Sequence, residues 1–161
     1  MSDKHNQQTS LHLSKRLEGG WSFDNTYLKL PQSLFVKAAP TPVKDPELLL
    51  VNEKLSKKLS LDFSALSKDT LASIFSGNKT LSGSSYISQA YAGHQFGHFV
   101  VLGDGRAILI GEHLNEKNVR YDVQLKGSGQ TPFSRNGDGR SAIGPVLREY
   151  VVSEAMSSLN I

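Results

Sequence analysis

Apolar and polar positions alternate irregularly in the first forty residues of this chain, with neither a helical nor a strand period. Residues 1–20 are polar and end in two glycines, so we expect a frayed terminus that buries little apolar surface. Residues 21–43 set short apolar pieces between Pro31, Pro40 and Pro42, which favours extended chain and turns over helix. The pattern predicts a segment that wraps around a core formed elsewhere.

Helical spacing first occurs in the next stretch, where two helices are predicted. Asp45-Pro46-Glu47 supplies an N-cap, a first-turn proline and a first-turn acid. A second, shorter helix is predicted over 68–75, with Gly77 as its stop, and the polar residues 76–85 predict a loop. The apolar positions that define the first helix are Leu48, Val51, Leu55 and Leu59.

Well over half of the 14 glycines lie between Gly93 and Gly144, and strand patterns occur in the same region. Two apolar runs, 99–102 and 107–110, flank Gly103-Asp104-Gly105-Arg106, and an Asp-Gly pair between such runs is typical of a β-hairpin. Tyr121 to Lys126 alternates apolar and polar residues, which predicts a third strand that ends at the lysine.

A last helix is predicted to open at Pro145, because proline suits the first helical position. We expect its apolar face to pack on the sheet and Glu149 to lie on the flank of that face. The apolar positions of this helix are Leu147, Tyr150, Val151, Ala155 and Leu159.

Composition narrows the classes of protein that this sequence fits. A length of 161 residues fits one domain or a piece of a larger protein. Cysteine is absent, which excludes disulfides, Cys-ligated zinc, iron–sulfur clusters and a thiol nucleophile. The net charge of +3 comes without a run of like charges, so no nucleic-acid partner is predicted. No apolar run is long enough for a membrane span or a secretion signal, which predicts a cytoplasmic protein without a membrane partner.

The first candidate for chemistry is the tetrad Gly103-Asp104-Gly105-Arg106. Glycine lets a backbone approach a phosphate closely and the arginine supplies a cation, yet a plain hairpin turn explains the same residues. Lys126, at a strand end behind this tetrad, has the place of the strand lysine in a kinase-like small lobe; the alternative is a surface lysine before a turn. Glu149, on the following helix, is placed to hold that lysine by its carboxylate.

Other kinds of site are disfavoured. His94 and His98 share a face only if their segment is helical, and Gly93 and Gly97 argue against that, so packing is favoured over metal binding. The sequence contains no GxxxxGK[ST] motif and no GxSxG motif, so a P-loop NTPase is rejected and a serine hydrolase is disfavoured.

Three long strings resemble the selenoprotein O family: YAGHQFGHFVVLGDGRAILIGE, DVQLKGSGQTPFSRNGDGR and REYVVSEAM. The resemblance extends upstream through FDNTYLKLP and DPELLLVNEKL, so it covers about residues 21–161 and only the N-terminal part of the family. It implies a protein-kinase-like fold that binds ATP in a reversed orientation and transfers AMP to hydroxyl side chains of proteins.

The fold class that follows is α+β. It comprises a disordered terminus over 1–20, a partly helical N-terminal extension over 21–90, and a kinase-like N-terminal lobe over 91–161. That lobe would consist of an antiparallel sheet and one helix equivalent to the kinase αC helix. The resemblance implies a missing C-terminal lobe that carries the catalytic aspartate and the ligands of Mg²⁺ (or Mn²⁺), so no catalytic residue and no metal ligand is expected in this span.

The resemblance also assigns nucleotide-binding residues, motif by motif. Gly103, Gly105 and Arg106 match the family's nucleotide-contacting glycine turn and arginine. Lys126 matches its phosphate-binding strand lysine, and Glu149 matches the helix residue that orients it.

Asp138 and Gly139, in the second GDGR tetrad, match further ATP-contacting positions for which the spacing of residues gives no independent reason. The expected partners are proteins modified on Ser, Thr or Tyr hydroxyls, and the oligomeric state is left open. Two alternatives stay open: a non-catalytic remnant or nucleotide-binding module, and a transferase that uses UMP instead of AMP. A mitochondrial location is the alternative to the cytoplasm if the source is eukaryotic.

Overall fold

A computed structural model describes residues 18–161, and the expectation of a frayed terminus lies outside the described residues except for its last three. The described chain is a mixed α/β structure with an antiparallel sheet, which confirms that part of the predicted fold class. Its elements, in chain order, are β1 (Phe35–Lys37), α1 (Glu53–Lys58), α2 (Lys68–Ser76), β2 (Ile87–Gln95), β3 (His98–Gly103), β4 (Ala107–Leu114), β5 (Arg120–Lys126) and α3 (Ile143–Ser158).

Strand β2 organises the sheet because it pairs with three other strands. The order is β1-β2-β4-β5, and β3 pairs with the second half of β2. Ile87 lies opposite both Lys37 of β1 and Leu109 of β4, whereas Ala90 lies opposite Gly103 of β3. The boundary expected between residues 90 and 91 therefore falls inside one strand.

The predicted hairpin between β3 and β4 is wrong, because both strands pair with β2 and not with each other. The true hairpin joins β2 to β3 through Phe96 and Gly97, whose φ angles are 59° and 80°. Two positive φ angles in succession give the two-residue turn that matches the twist of antiparallel strands. The Gly103–Arg106 tetrad instead connects β3 to β4 as the chain runs along β2, and the N–H of Asp104 donates to the carbonyl of Gln89 (2.9 Å).

The main core lies where the N-terminal segment and α2 meet the sheet. Trp21 is buried, stacks on Phe23 with ring centroids 5.6 Å apart, and meets the edge of His113 at 5.3 Å. As predicted, the segment wraps around the core with short 3₁₀ turns and β1. The buried cluster comprises Trp21, Leu61, Ile74, Leu81, Ile110 and Leu125.

Two buried polar side chains of β4 fasten this N-terminal segment. His113 accepts a hydrogen bond from the N–H of Ser22 at Nδ1 (3.1 Å) and donates from Nε2 to the carbonyl of Leu59 (2.7 Å), which fixes its tautomer. The neighbouring carboxylate of Glu112 accepts from the Thr26 hydroxyl (2.6 Å) and from the backbone N–H of Tyr27 (2.7 Å).

Helix α2 confirms its prediction, whereas α1 begins later than expected. Ser67 caps α2 by accepting from the N–H of Thr70 (3.1 Å), and Gly77 ends it with a φ of 83°. The first helix does not start at Asp45, whose φ of 48° is unlike the extended backbone of an N-cap residue. It starts at Glu53, capped by the Asn52 side chain.

Helix α3 forms in the predicted region, but it begins at Ile143 rather than at Pro145 and does not pack on the sheet. None of its residues is buried, because the N-terminal segment and α2 already cover the apolar side of the sheet. Polar contacts tie it to the chain through Glu149 and through Glu154, whose carboxylate accepts from the side chain of Asn52 (2.7 Å). Across residues 18–161, no helix combines the length and apolar character needed to cross a bilayer.

Candidate functional site

A cavity of about 600 Å³ opens between the β3–β4 connection, the end of β5 and the loop that follows it. This loop, residues 127–142, folds back over the connection before α3 begins. The structure brings together six residues that the family resemblance assigned to ATP, and all of them line this cavity: Gly103, Gly105, Arg106, Lys126, Asp138 and Gly139.

Lys126 stands at the mouth of this cavity and forms an ion pair with Glu149. Its Nζ lies 3.3 Å from Oε1 of Glu149, across the gap between the end of β5 and the second turn of α3. The β4–β5 ladder places Lys126 opposite Ala107, and the N–H of Gly127 donates to the carbonyl of Arg106 (2.7 Å). Both charged side chains are about half exposed, at 45% and 60%, so the pair orients the ammonium more than it stabilises the fold.

The Gly103–Arg106 connection is held in shape by hydroxyl groups, which we call the hydroxyl latch: Ser88, Thr131 and Ser134. The carbonyl of Asp104 accepts from Thr131 (2.6 Å) and from Ser88 (2.8 Å). The carbonyl of Gly105 accepts from Ser134 (2.6 Å). These bonds fix the carbonyl directions of the connection, so its backbone keeps one conformation.

Close packing by Phe133 explains why the connection needs glycine at position 103. A side chain on Gly103 would overlap the ring of Phe133, which lines the cavity as well. The aromatic ring thus lies directly against the backbone of the connection.

The second GDGR tetrad reaches the same cavity because its loop doubles back on itself. Gly139 has a φ of 70°, and a side chain there would overlap the carbonyl of Gly129. Arg140 pairs with Ser128 as an isolated β-bridge, and its N–H donates to the carboxylate of Asp138 (2.9 Å). One carboxylate oxygen of Asp138 therefore stabilises the turn of this loop by accepting a backbone hydrogen bond.

Positive charge dominates the lining of the cavity. It carries four cationic side chains, Arg106, Lys126, Arg135 and Arg140, and two carboxylates, Asp104 and Asp138. Burial raises the pKa of the Asp104 carboxyl above its ordinary value, although the N–H of Gln89 and the charge of Lys126 oppose that rise. An excess of guanidinium and ammonium groups favours a polyanion such as a phosphate chain.

Several residues that line the cavity or contact its lining were not predicted from the sequence. Thr131, Phe133 and Ser134 act on the Gly103–Arg106 connection from a distance in the chain, and no local pattern marks them. Arg135 lies over the ring of Phe96 (5.0 Å), at the tip of the β2–β3 hairpin. The one sequence signal for Arg140 is its position directly after the Asp138-Gly139 pair.

The two histidines considered for a metal lie on the paired strands β2 and β3. His94 is opposite Phe99, and Nδ1 of His98 is 3.1 Å from the carbonyl of Phe96. In the part of the chain that the structure describes, no three His, Asp or Glu side chains form a group suited to holding a metal ion.

Comparison with known proteins identifies a family model and several relatives that this chain resembles. Residues 20–161 match the family model described as protein adenylyltransferase SelO. A relative from Pelagibacter ubique, named protein nucleotidyltransferase YdiU, is 58% identical over 142 residues, which cover 88% of this chain and 29% of that protein. Proteins of the same name from Nitrosococcus oceani and Bacillus cytotoxicus are 56% and 54% identical and cover 91% and 92% of this chain.

The chain spans 29% to 30% of the length of these curated relatives and corresponds to their N-terminal portion. The match with the family model includes both GDGR tetrads, Lys126 and Glu149. The chain therefore belongs to the SelO family.

Proposed function

We propose that this chain is the nucleotide-binding part of a protein nucleotidyltransferase that moves AMP from ATP to Ser, Thr or Tyr hydroxyls of other proteins. The names of the relatives support nucleotidyl transfer to proteins, and the description of the family supports the adenylyl group. The observation that carries the proposal is the Lys126–Glu149 ion pair at the mouth of a cationic cavity.

The proposed fold of this part is the small lobe of a protein kinase. In kinases, a strand lysine meets the nucleotide phosphates while a glutamate on the following helix orients it. Lys126 ends β5, and Glu149 lies on the next helix along the chain, so the order of parts is the same.

In the proposed complex, Lys126 and Arg106 neutralise phosphate charge while Gly103 and Gly105 let the backbone come close. Asp138 and Gly139 line the same cavity. Glu149 keeps the ammonium of Lys126 aimed at the phosphates, because an unpaired lysine side chain samples many rotamers.

The proposed reaction forms a bond between the acceptor hydroxyl oxygen and the α-phosphorus of ATP. The bond between the α- and β-phosphates breaks, pyrophosphate leaves, and the hydroxyl proton passes to a base. We propose that the base and the ligands of Mg²⁺ or Mn²⁺ come from outside this chain, as the family resemblance implies. The metal would supply charge neutralisation on the phosphates.

Nucleotide binding tests the role of this chain directly. We expect Lys126→Ala to weaken ATP binding by about tenfold or more, because a charge-assisted contact is lost. Lys117→Ala removes the same charge from the exposed turn after β4, outside the cavity, and serves as the matched control. Equal ATP affinity of the Lys126 variant and the unmodified chain would refute the proposed site.

Isotope position tests the group that is transferred. In a polypeptide with the full length of the relatives, we expect label from α-³²P ATP on acceptor proteins and none from γ-³²P ATP. Label from the γ-position would indicate kinase activity instead. Stronger labelling from α-³²P UTP would favour the UMP alternative, and absence of any labelling would favour a non-catalytic nucleotide-binding module.

A further inference from the structure

Arg140 is a half-buried residue of the cavity lining, and no carboxylate among residues 18–161 balances the charge of its guanidinium. Within residues 18–161, no carboxylate oxygen lies within 4.0 Å of its side-chain nitrogens, whereas Lys126 and Arg120 both have such partners. A cation in this state gains more from a bound anion than a cation that is already paired.

A short segment without regular secondary structure, residues 38–43, contacts the Arg140 side chain, and we call it the strap. Nη2 of Arg140 donates to the carbonyl of Thr41 (3.1 Å), and the N–H of Thr41 donates to the carbonyl of Ser128 (2.8 Å). The strap thus runs beside the loop that carries the second GDGR tetrad, and Gly129 packs directly against Thr41.

Both ends of the strap are fastened to the rest of the fold. At one end, the N–H of Ala38 donates to the carbonyl of Tyr86 (3.2 Å). At the other end, Val43 donates to the side-chain oxygen of Asn78 (2.9 Å) and accepts from its side-chain nitrogen (2.8 Å). The Thr41 carbonyl is therefore a fixed point, and it limits where the guanidinium of Arg140 lies.

We propose that Arg140 is a further phosphate-binding residue of this cavity and that the strap aims its guanidinium at the phosphate chain of a nucleoside triphosphate. The inference rests on the proposed nucleotide-binding role of the cavity. A guanidinium carries five N–H donors in a planar fork, and the bond to Thr41 uses one of the two at Nη2. The remaining donors are available to phosphate oxygens that Arg106 and Lys126 also approach.

Binding of inorganic tripolyphosphate and of ATP to the 161-residue chain, measured by calorimetry, tests this inference. Arg140→Gln is expected to weaken both by about tenfold, since a charge-assisted contact is lost. The matched control is Arg148→Gln, which removes the same charge from α3 outside the cavity lining and is expected to change affinity by less than about twofold. Equal losses in the two variants would mean general electrostatic attraction and would overturn the assignment.

The role of the strap needs a separate variant. Thr41→Gly keeps the carbonyl but frees the backbone that holds it. In that background, Arg140→Gln is expected to cost clearly less affinity than in the unmodified chain, because the guanidinium is no longer aimed. If the losses of affinity caused by Thr41→Gly and Arg140→Gln are purely additive, the strap does not aim the guanidinium.

Lys126→Ala separates failure of this inference from failure of the proposed function. If Lys126→Ala weakens binding and Arg140→Gln does not, the inference about Arg140 is wrong and the proposed function stands. If neither variant weakens binding, or if the unmodified chain does not bind tripolyphosphate, both fail. If Arg140→Gln does not melt cooperatively, Arg140→Lys replaces it: the charge stays but the fork is lost, and unchanged affinity would again overturn the assignment.

Discussion

Ser134 donates a hydrogen bond of 2.6 Å to the carbonyl oxygen of Gly105, and its hydroxyl oxygen accepts another from the N–H of Thr131 (2.7 Å). One hydroxyl thus joins the Gly103–Arg106 connection to the loop that covers it. The shape of the cavity depends on contacts between two segments that are far apart in the sequence.

Ser134→Ala is predicted to loosen the connection and weaken ATP binding several-fold. It leaves the Gly105 carbonyl and the Thr131 N–H without their partner, at a cost of about 1 to 3 kcal/mol shared between folding and binding. Calorimetric titration with ATP and thermal unfolding measure the two parts. Ser153→Ala, at an exposed position of α3, is the control, and a Ser134 variant that matches it in both assays would contradict the role of the latch.

Asp104→Asn is predicted to change how stability depends on pH. Burial raises the pKa of this carboxyl above 3.8, so the folded chain holds the proton more tightly than the unfolded chain does. The contribution of this group to stability is therefore largest below pH 3.8 and is lost as pH rises through the folded pKa. Asp104→Asn does not titrate, so this pH-dependent loss of stability is absent. The variant should therefore become more stable relative to the unmodified chain as pH rises through the folded pKa of Asp104.

Urea unfolding at a series of pH values measures this difference in the free energy of unfolding. Asp122→Asn, which removes a carboxyl at an exposed position of β5 outside the cavity lining, is the control for loss of a negative charge. A difference between Asp104→Asn and the unmodified chain that stays constant across the acidic range would contradict the prediction.

His113→Phe is predicted to destabilise the chain by about 2 kcal/mol, because the Ser22 N–H and the Leu59 carbonyl each lose a partner. The new ring keeps the apolar contact with Trp21. Denaturant unfolding measures the loss. His94→Phe, on an exposed face of β2, should change stability by less than about 0.5 kcal/mol, and similar values for both variants would sink this prediction.

The apolar residues of α3 are predicted to bind a hydrophobic dye such as anilinonaphthalene sulfonate. Val151 and Val152 of α3 are 63% and 52% exposed, and Leu159, directly after the helix, is 67% exposed, which leaves an exposed apolar surface. Val151→Lys should lower dye emission while the melting temperature changes little, since the side chain is not packed. A large loss of stability in that variant would show that this face is covered.

The sequence predicted those elements whose signals are local. Helix α2, with Ser67 and Gly77 at its ends, and strand β5, with its alternating pattern, needed no distant partner to be identified. The Asp-Gly pair at 104 and 105 led to a wrong prediction of a hairpin. A turn sequence does not determine which strands pair, and here both β3 and β4 pair with β2.

The residues of the candidate site also divide into those with a local sequence signal and those without one. Lys126 and Glu149 follow from a strand end and a helix position, and the two side chains meet in the structure. Ser134, Thr131 and Arg140 act through contacts with Gly105, Asp104 and Thr41, which no spacing along the chain reveals. Asp138 and Gly139 came from the family resemblance, and the loop that carries them to the cavity became visible only in three dimensions.

The position of Trp21 gives the molecule a built-in optical probe. It is the single tryptophan of the sequence, and it is buried between Phe23 and His113. Its fluorescence therefore registers whether the segment before β1 is docked, whereas titration calorimetry follows occupancy of the cavity, which lies at the other end of the β4–β5 ladder. Loss of docking and loss of ligand can thus be recorded as two independent signals on one sample.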